Sequence, residues 1–148
     1  MFWRKRALPK AYQEMFAKGE RTLAWAARAD GEEQGLVVAT NLGLWVDRQR
    51  IGWHEITKAV WDGSALVVTT SEVIDDTGDP VVITDRPAVR LSLVEPGHLP
   101  HQVRLRVTGS IVSSELREDG SRLVGRRMPG VDGIAWTLHV PPGFSARS

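Results

Sequence analysis

The feature that most limits the folds open to this chain is how often its polar breaks recur. "DRQR" at 47–50, "DGS" at 62–64, "DDTGDP" at 75–80, "EPGHLPHQ" at 95–102, Asp119-Gly120 and "PGVDG" at 129–133 cut the sequence into short pieces. The pieces between them are apolar and rich in branched residues: "TLAWAARA", "GLVVATNLGLWV", "IGWHEITKAVW", "ALVVTTSEV", "VVITD", "AVRLSLVE", "SIVSSELRE", "SRLVGRRM" and "IAWTLHV". Roughly nine short strands with a turn signal about every 8–12 residues is the pattern of an antiparallel sandwich or barrel. Asp62-Gly63 and Asp119-Gly120 have the chemistry of tight hairpin turns. In "IGWHEITKAVW" the apolar phase changes between Trp53 and Ile56, which predicts a bulge near His54-Glu55.

Two segments read as helix. "ALPKAYQEMFAKGE" (7–20) places Ala11, Met15 and Phe16 on one side, has Pro9 at its first turn and ends at Gly19. Residues 100–109 fit two periods. Val103, Leu105 and Val107 alternate, whereas Leu99, Val103, Val107 and Ile111 recur every four residues; Pro100 at the start decides for a helix. The organisation expected is a basic segment with a short helix (1–20), one β domain (21–140) and a tail (141–148). No repeat, low-complexity tract or linker interrupts it.

At 148 residues and 42% apolar, the chain can bury one sizeable core. It has no cysteine, which excludes disulfides and thiolate metal sites. No run approaches the ~18–20 apolar residues of a membrane-spanning helix. "MFWRKRALPK" has a basic start without the apolar stretch of a signal peptide, so a cytoplasmic location is expected. The net charge of +1 hides an asymmetry: residues 1–21 hold six cations against Glu14 and Glu20. A basic, aromatic-bearing end on a mildly acidic body is suited to an anionic surface.

Residues 17–68 resemble bacterial PH-like and GRAM-like domains. The resemblance is carried by Gly19, Glu20, Leu23, Thr40, Asn41, Leu44, Trp53, Glu55 and Ile56, a Gly-Glu-x-x-Leu start followed by a Thr-Asn-x-x-Leu strand end and a Trp-x-Glu-Ile segment. It is a pattern of strand spacing and not a catalytic signature. It implies a bent seven-stranded antiparallel barrel capped by a helix after its last strand, with 100–109 as that helix. The meander over 110–140 lies beyond the usual cap. The fold class expected is therefore mainly β, a PH-like antiparallel barrel or sandwich with a capping helix and a C-terminal β-meander.

Trp45, Trp53 and Trp61 stand eight residues apart. Large aromatics with one polar tip fill the core and rim of small barrels. The functional alternative groups Trp45, Trp53, His54, Glu55 and Trp61 as a pocket at the barrel mouth, with Asp62 as a further polar group. Trp3 differs: beside Phe2, Arg4, Lys5 and Arg6 it forms a basic-aromatic stretch for a membrane surface or a partner.

Chemistry-bearing motifs are sparse. His54-Glu55 has no second histidine at helical zinc-protease spacing. His98 and His101, with the distant His139, make a weak metal set, and the acidic loop 75–79 lacks a calcium-loop register. No phosphate-cradling loop, nucleophile elbow or dinucleotide fingerprint occurs. No catalytic residue, metal or cofactor is assigned. The arginines at 104, 106, 117, 122, 126 and 127 form a second basic group, and Arg126 and Arg127, being adjacent, must face opposite sides of a strand. The near-neutral total weighs against nucleic acid. The function expected is a non-enzymatic adaptor that engages a protein partner, with peripheral contact at the inner membrane face; the alternative is a small-molecule binder or enzyme using the barrel mouth.

Overall fold

In the computed structural model, which describes residues 7–29 and 35–143, local turn chemistry builds the first half of the sheet. β1 (Thr22–Arg28), β2 (Leu36–Thr40), β3 (Gly43–Val46) and β4 (Gln49–Gly52) form a continuous antiparallel meander. The β3–β4 turn is Asp47-Arg48, at φ 50° and 66°, the two left-handed residues that a two-residue hairpin loop requires. The segment 35–46, expected as one strand, is two strands around a tight turn at Asn41-Leu42. Thr40 closes that turn: its Oγ1 accepts from the amides of Leu42 (3.1 Å) and Gly43 (3.2 Å).

The bulge expected near His54-Glu55 is a single 3-10 turn, Trp53–Glu55. It carries the chain from β4 to β5 (Ile56–Trp61). β6 (Ala65–Asp75) is long and serves two arms of the sheet. Its first half pairs with β5 on one edge and with β8 (Val89–Val94) on the other; its second half pairs with β7 (Val81–Asp85). β8 returns to β1 through Ala27↔Val94 and Arg28↔Leu93. The chain then enters α2 (Leu99–Ser110) and a meander of β9 (Ile111–Leu116), β10 (Arg122–Arg127) and β11 (Ile134–His139). β11 joins β7 in parallel, so the strand path runs β4-β3-β2-β1-β8-β6-β7-β11-β10-β9, with β5 on β6. The result is mainly β: among the described residues, eleven strands form a mostly antiparallel sheet that bends over a helix and does not close into a barrel.

The first helix, α1 (Lys10–Gln13), is much shorter than the 7–20 expected. No acidic residue stands in its first turn, and so short a helix depends on tertiary packing. Tyr12 is buried, and the chain leaves the helix so that Phe16 reaches the Trp45 ring, 5.9 Å between centroids.

The main core lies between the bent sheet and α2. Ala24 and Ala26 of β1, Val37 and Ala39 of β2, Leu44, Leu66, Val68, Leu91 and Leu93 meet Leu99, Val103 and Val107 of the helix. A second cluster sits on the other face of the sheet, where Leu8 and Tyr12 cover Leu36, Val38 and Trp45. β2 is thus buried on both faces, which is why "LVVAT" is an unbroken apolar run and not an alternating one. No helix among the described residues is long and apolar enough to cross a membrane.

Candidate functional site

Three tryptophans that stand eight residues apart end in three different places. Trp53 (2% exposed) belongs to the main core, and its indole N–H donates to the Thr40 carbonyl at 2.9 Å. Trp45 (6% exposed) belongs to the outer cluster and donates to Glu20 Oε2 at 2.9 Å. Trp61 is half-buried at the edge of the main core. The residues grouped from sequence as a pocket, Trp45, Trp53, His54, Glu55 and Trp61, do not line one cavity; Trp53 alone of them lines the large groove described below. Asp62 is separated from Glu55 by the six residues of β5, roughly 20 Å of extended chain. It is engaged at the β5–β6 turn, where it accepts from the Ser64 and Ala65 amides and pairs with Arg90. These contacts hold its carboxyl well below the usual range. The convergence of His54, Glu55 and Asp62 fails because β5 lies between them. Phe2, Trp3, Arg4, Lys5 and Arg6 lie outside the described residues.

The residues that carry the family resemblance are interlocked. Glu20, whose side chain is fully enclosed, accepts from Thr40 Oγ1 (2.6 Å), the Trp45 indole (2.9 Å), the Ala17 amide (2.9 Å) and Arg50 (2.6 Å). Burial alone would raise its carboxyl; these four donors outweigh it and hold the group below its ordinary value. Asn41 accepts from the Arg21 amide (2.7 Å) and donates to the Gly19 carbonyl (3.1 Å). Glu55 accepts from the Gly52 amide at 3.2 Å. This is a structural knot: Glu20, Thr40, Asn41, Trp45 and Arg50 tie the approach to β1 to β2, β3 and β4.

A second knot joins the meander to the rest. Arg126, buried on β10, donates to the carbonyls of His54 (3.0 Å), Ile56 (2.6 Å) and Val107 (3.1 Å) and to Ser110 Oγ (3.0 Å). Burial lowers its guanidinium to about 10, which leaves it charged at neutral pH. Val107 and Ser110 are in the last turn of α2, where carbonyls lack intrahelical donors and a cation is favourable. His54, beside it, is held below its ordinary value mainly by burial, with Arg126 adding to the effect and Glu55 opposing it.

Arg127, the next residue, points the other way and is exposed. It lines a groove of about 610 Å³ between the exposed side of α2, the β2–β3 turn and the loop after β10. Trp53, Leu105, Met128 and Pro129 supply apolar wall; Arg21, Arg106 and Arg127 supply charge. The loop meets the turn directly, since a Cβ at Gly130 would lie 3.4 Å from Leu42. No Asp or Glu among the described residues lines the groove, and none of its three arginines forms an ion pair among them. Nor do three or more His, Asp or Glu side chains converge as a metal site among the described residues. His139 instead meets Asp85 at 2.8 Å, and Asp85 also accepts from Thr57 at 2.7 Å.

Sequence reasoning assigned Arg106 and Arg127 to a basic group and left Arg21 with the N-terminal cluster. It did not bring the three together. The separation of Arg126 from Arg127 was legible from strand alternation; the placement of the meander against α2 was not.

Comparison with protein-family models, with curated proteins and with solved structures finds no match. What the groove can do therefore rests on its own chemistry. It offers three guanidinium groups, an apolar floor and a volume in the range of ligand sites, about 300–1,000 Å³. Among the described residues that line it, no nucleophile is paired with a base.

Proposed function

We propose that the chain is a non-enzymatic binding module on a PH-like framework, and that its partner is anionic and sits in the groove between α2 and the loop after β10. The observation that carries the reading is the set of Arg21, Arg106 and Arg127 around one cavity, with no acid to pair them among the described residues. Unpaired guanidinium groups over a partly apolar wall suit carboxylate- or phosphate-bearing partners, which they bind through paired N–H donors. The PH-like part of the reading is supported by the path β4-β3-β2-β1-β8-β6-β5 and by α2 following β8. A protein partner, with peripheral contact at the inner membrane face through Phe2, Trp3, Arg4, Lys5 and Arg6, fits the same electrostatics.

The test is binding of a structureless polyanion, dextran sulfate, to the wild type and to an Arg106→Glu/Arg127→Glu variant. Binding that weakens at least about tenfold on reversal, and that falls with added salt, is the expected result. Equal binding by both proteins would place the anionic partner elsewhere and overturn the assignment to this groove.

A further inference from the structure

Resting on that reading, we infer that the ligand of the groove is an extended acidic peptide segment of a partner protein, with apolar side chains alternating with its carboxylates. Three observations favour this over a compact anion such as a phosphate group.

The first is the dispersion of the charge. Arg21 immediately precedes β1, Arg106 comes from the middle of α2 and Arg127 from the end of β10. Cations on three separate elements around a groove of about 610 Å³ match several single charges along a chain better than one concentrated charge.

The second is the end of the helix that meets the groove. Gly109 and Ser110, which line it, are the last residues of α2. A helix C-terminus carries partial negative charge, whereas compact phosphates are held by the N–H groups of a helix N-terminus or a backbone nest. Arg126 partly offsets that negative end by binding the Val107 carbonyl, and what remains repels a multiply charged phosphate more than a singly charged carboxylate.

The third is the floor. Leu105 is 52% exposed although it sits on the helix that covers the core. With Met128 and Pro129 it leaves apolar surface that a phosphate would not cover. In an extended peptide alternate side chains point to opposite sides, so leucines reach the floor while glutamates reach the rim.

The experiment is a two-dimensional ¹H–¹⁵N titration of the whole chain, reading the amides of Leu105, Arg106, Gly109 and Gly130. Four probes are added in turn: a hexapeptide alternating Glu and Leu, the same peptide with Gln for Glu, a hexa-glutamate, and inorganic pyrophosphate. The expected result is saturable shifts with the Glu-Leu peptide, at least about tenfold weaker binding of the other three, and loss of the shifts in Arg106→Glu/Arg127→Glu. Binding of pyrophosphate or hexa-glutamate as tight as that of the Glu-Leu peptide would overturn the peptide proposal and leave the anionic reading standing. Equal binding of the Gln-Leu peptide, or no shift with any probe, would overturn both. Spectra of the variant that retain the wild-type dispersion elsewhere show that its loss of binding is not loss of fold.

Discussion

The indole N–H of Trp45 donates to Oε2 of Glu20 across 2.9 Å, joining residues 25 apart in sequence. The same oxygen accepts from Thr40, and Arg50 lies over the Trp45 ring at 5.7 Å while binding the other oxygen of Glu20. One enclosed carboxylate thus ties the approach to β1 to both strands of the β2–β3 hairpin and to β4.

Replacing that carboxylate by an amide tests how much the tie contributes. Glu20→Gln keeps the shape but presents an NH₂ group to donors and removes the charge that Arg50 faces. The expected loss of stability is about 2 kcal/mol, in the range of a hydrogen-bonded charged group, because two of its partners, Thr40 and Trp45, remain buried. Urea unfolding of the two proteins checks it; midpoints that coincide would show that the partners find water or each other at no cost.

Acidification should weaken the fold in two stages. His54 is held below its ordinary 6.5, so the folded state resists a proton that the unfolded chain accepts. Stability is full above 6.5 and falls as pH drops from there through the folded value. Glu20 is held below its ordinary 4.5, so its contribution is full above 4.5 and falls as pH drops through its lowered value. His54→Gln should remove the upper stage and Glu20→Gln part of the lower one. Unfolding midpoints measured from about pH 7.5 to about pH 3 separate the two, and an upper stage that persists in His54→Gln would assign it to another group.

Arg126 and Arg127 are adjacent and should behave oppositely. Arg126→Met leaves the carbonyls of His54, Ile56 and Val107 without their buried donor. A loss of about 3 kcal/mol is expected, which is roughly 10 °C in melting temperature for a domain of this size. Arg127→Met removes an exposed side chain and should change stability by less than about 0.5 kcal/mol while weakening anion binding. Thermal melts of both variants decide the matter; comparable losses would mean that Arg127 also holds structure.

How much of this was legible in the sequence depends on whether the signal was local. The Asp62-Gly63 and Asp119-Gly120 turns, the helix that starts with Leu99-Pro100 and the strands between them follow from residues within a few positions of each other, and the structure has them. The Asn41-Leu42 turn was missed although Thr40, Asn41 and Gly43 mark it, because the apolar residues on its two sides, Leu36–Ala39 and Leu44–Val46, read together as one long strand; β2 is buried on both faces, so it lacks the polar alternation that would have set it apart from β3. The 7–20 helix was overestimated because Met15 and Phe16 have helical spacing but are used by Trp45 and its cluster. The groove was not legible at all. Its arginines lie more than 80 residues apart from first to second and come together only because β11 pairs with β7 and brings the meander back onto α2.

Two glycines in strands give the last prediction, and they should differ although both are closely approached. A Cβ on Gly43 would collide with the carbonyl of Ile51 on β4, a backbone atom that the β3–β4 ladder fixes in place. Gly43→Ala therefore has to break or bend that ladder, and a loss of about 3 kcal/mol is expected, comparable with other severe steric changes. A Cβ on Gly125 would lie 3.0 Å from the ring of Trp136, which crosses β10 from β11. Trp136 is 41% exposed, so its ring can swing into solvent. Gly125→Ala should then lose about 1 kcal/mol, partly regained from the lower chain entropy of alanine in the unfolded state. The two melting curves, recorded together with tryptophan emission, check both parts. A red shift of emission in Gly125→Ala with a modest change in midpoint fits a displaced Trp136; a midpoint as low as that of Gly43→Ala would mean that the ring is held in place by the sheet beneath it.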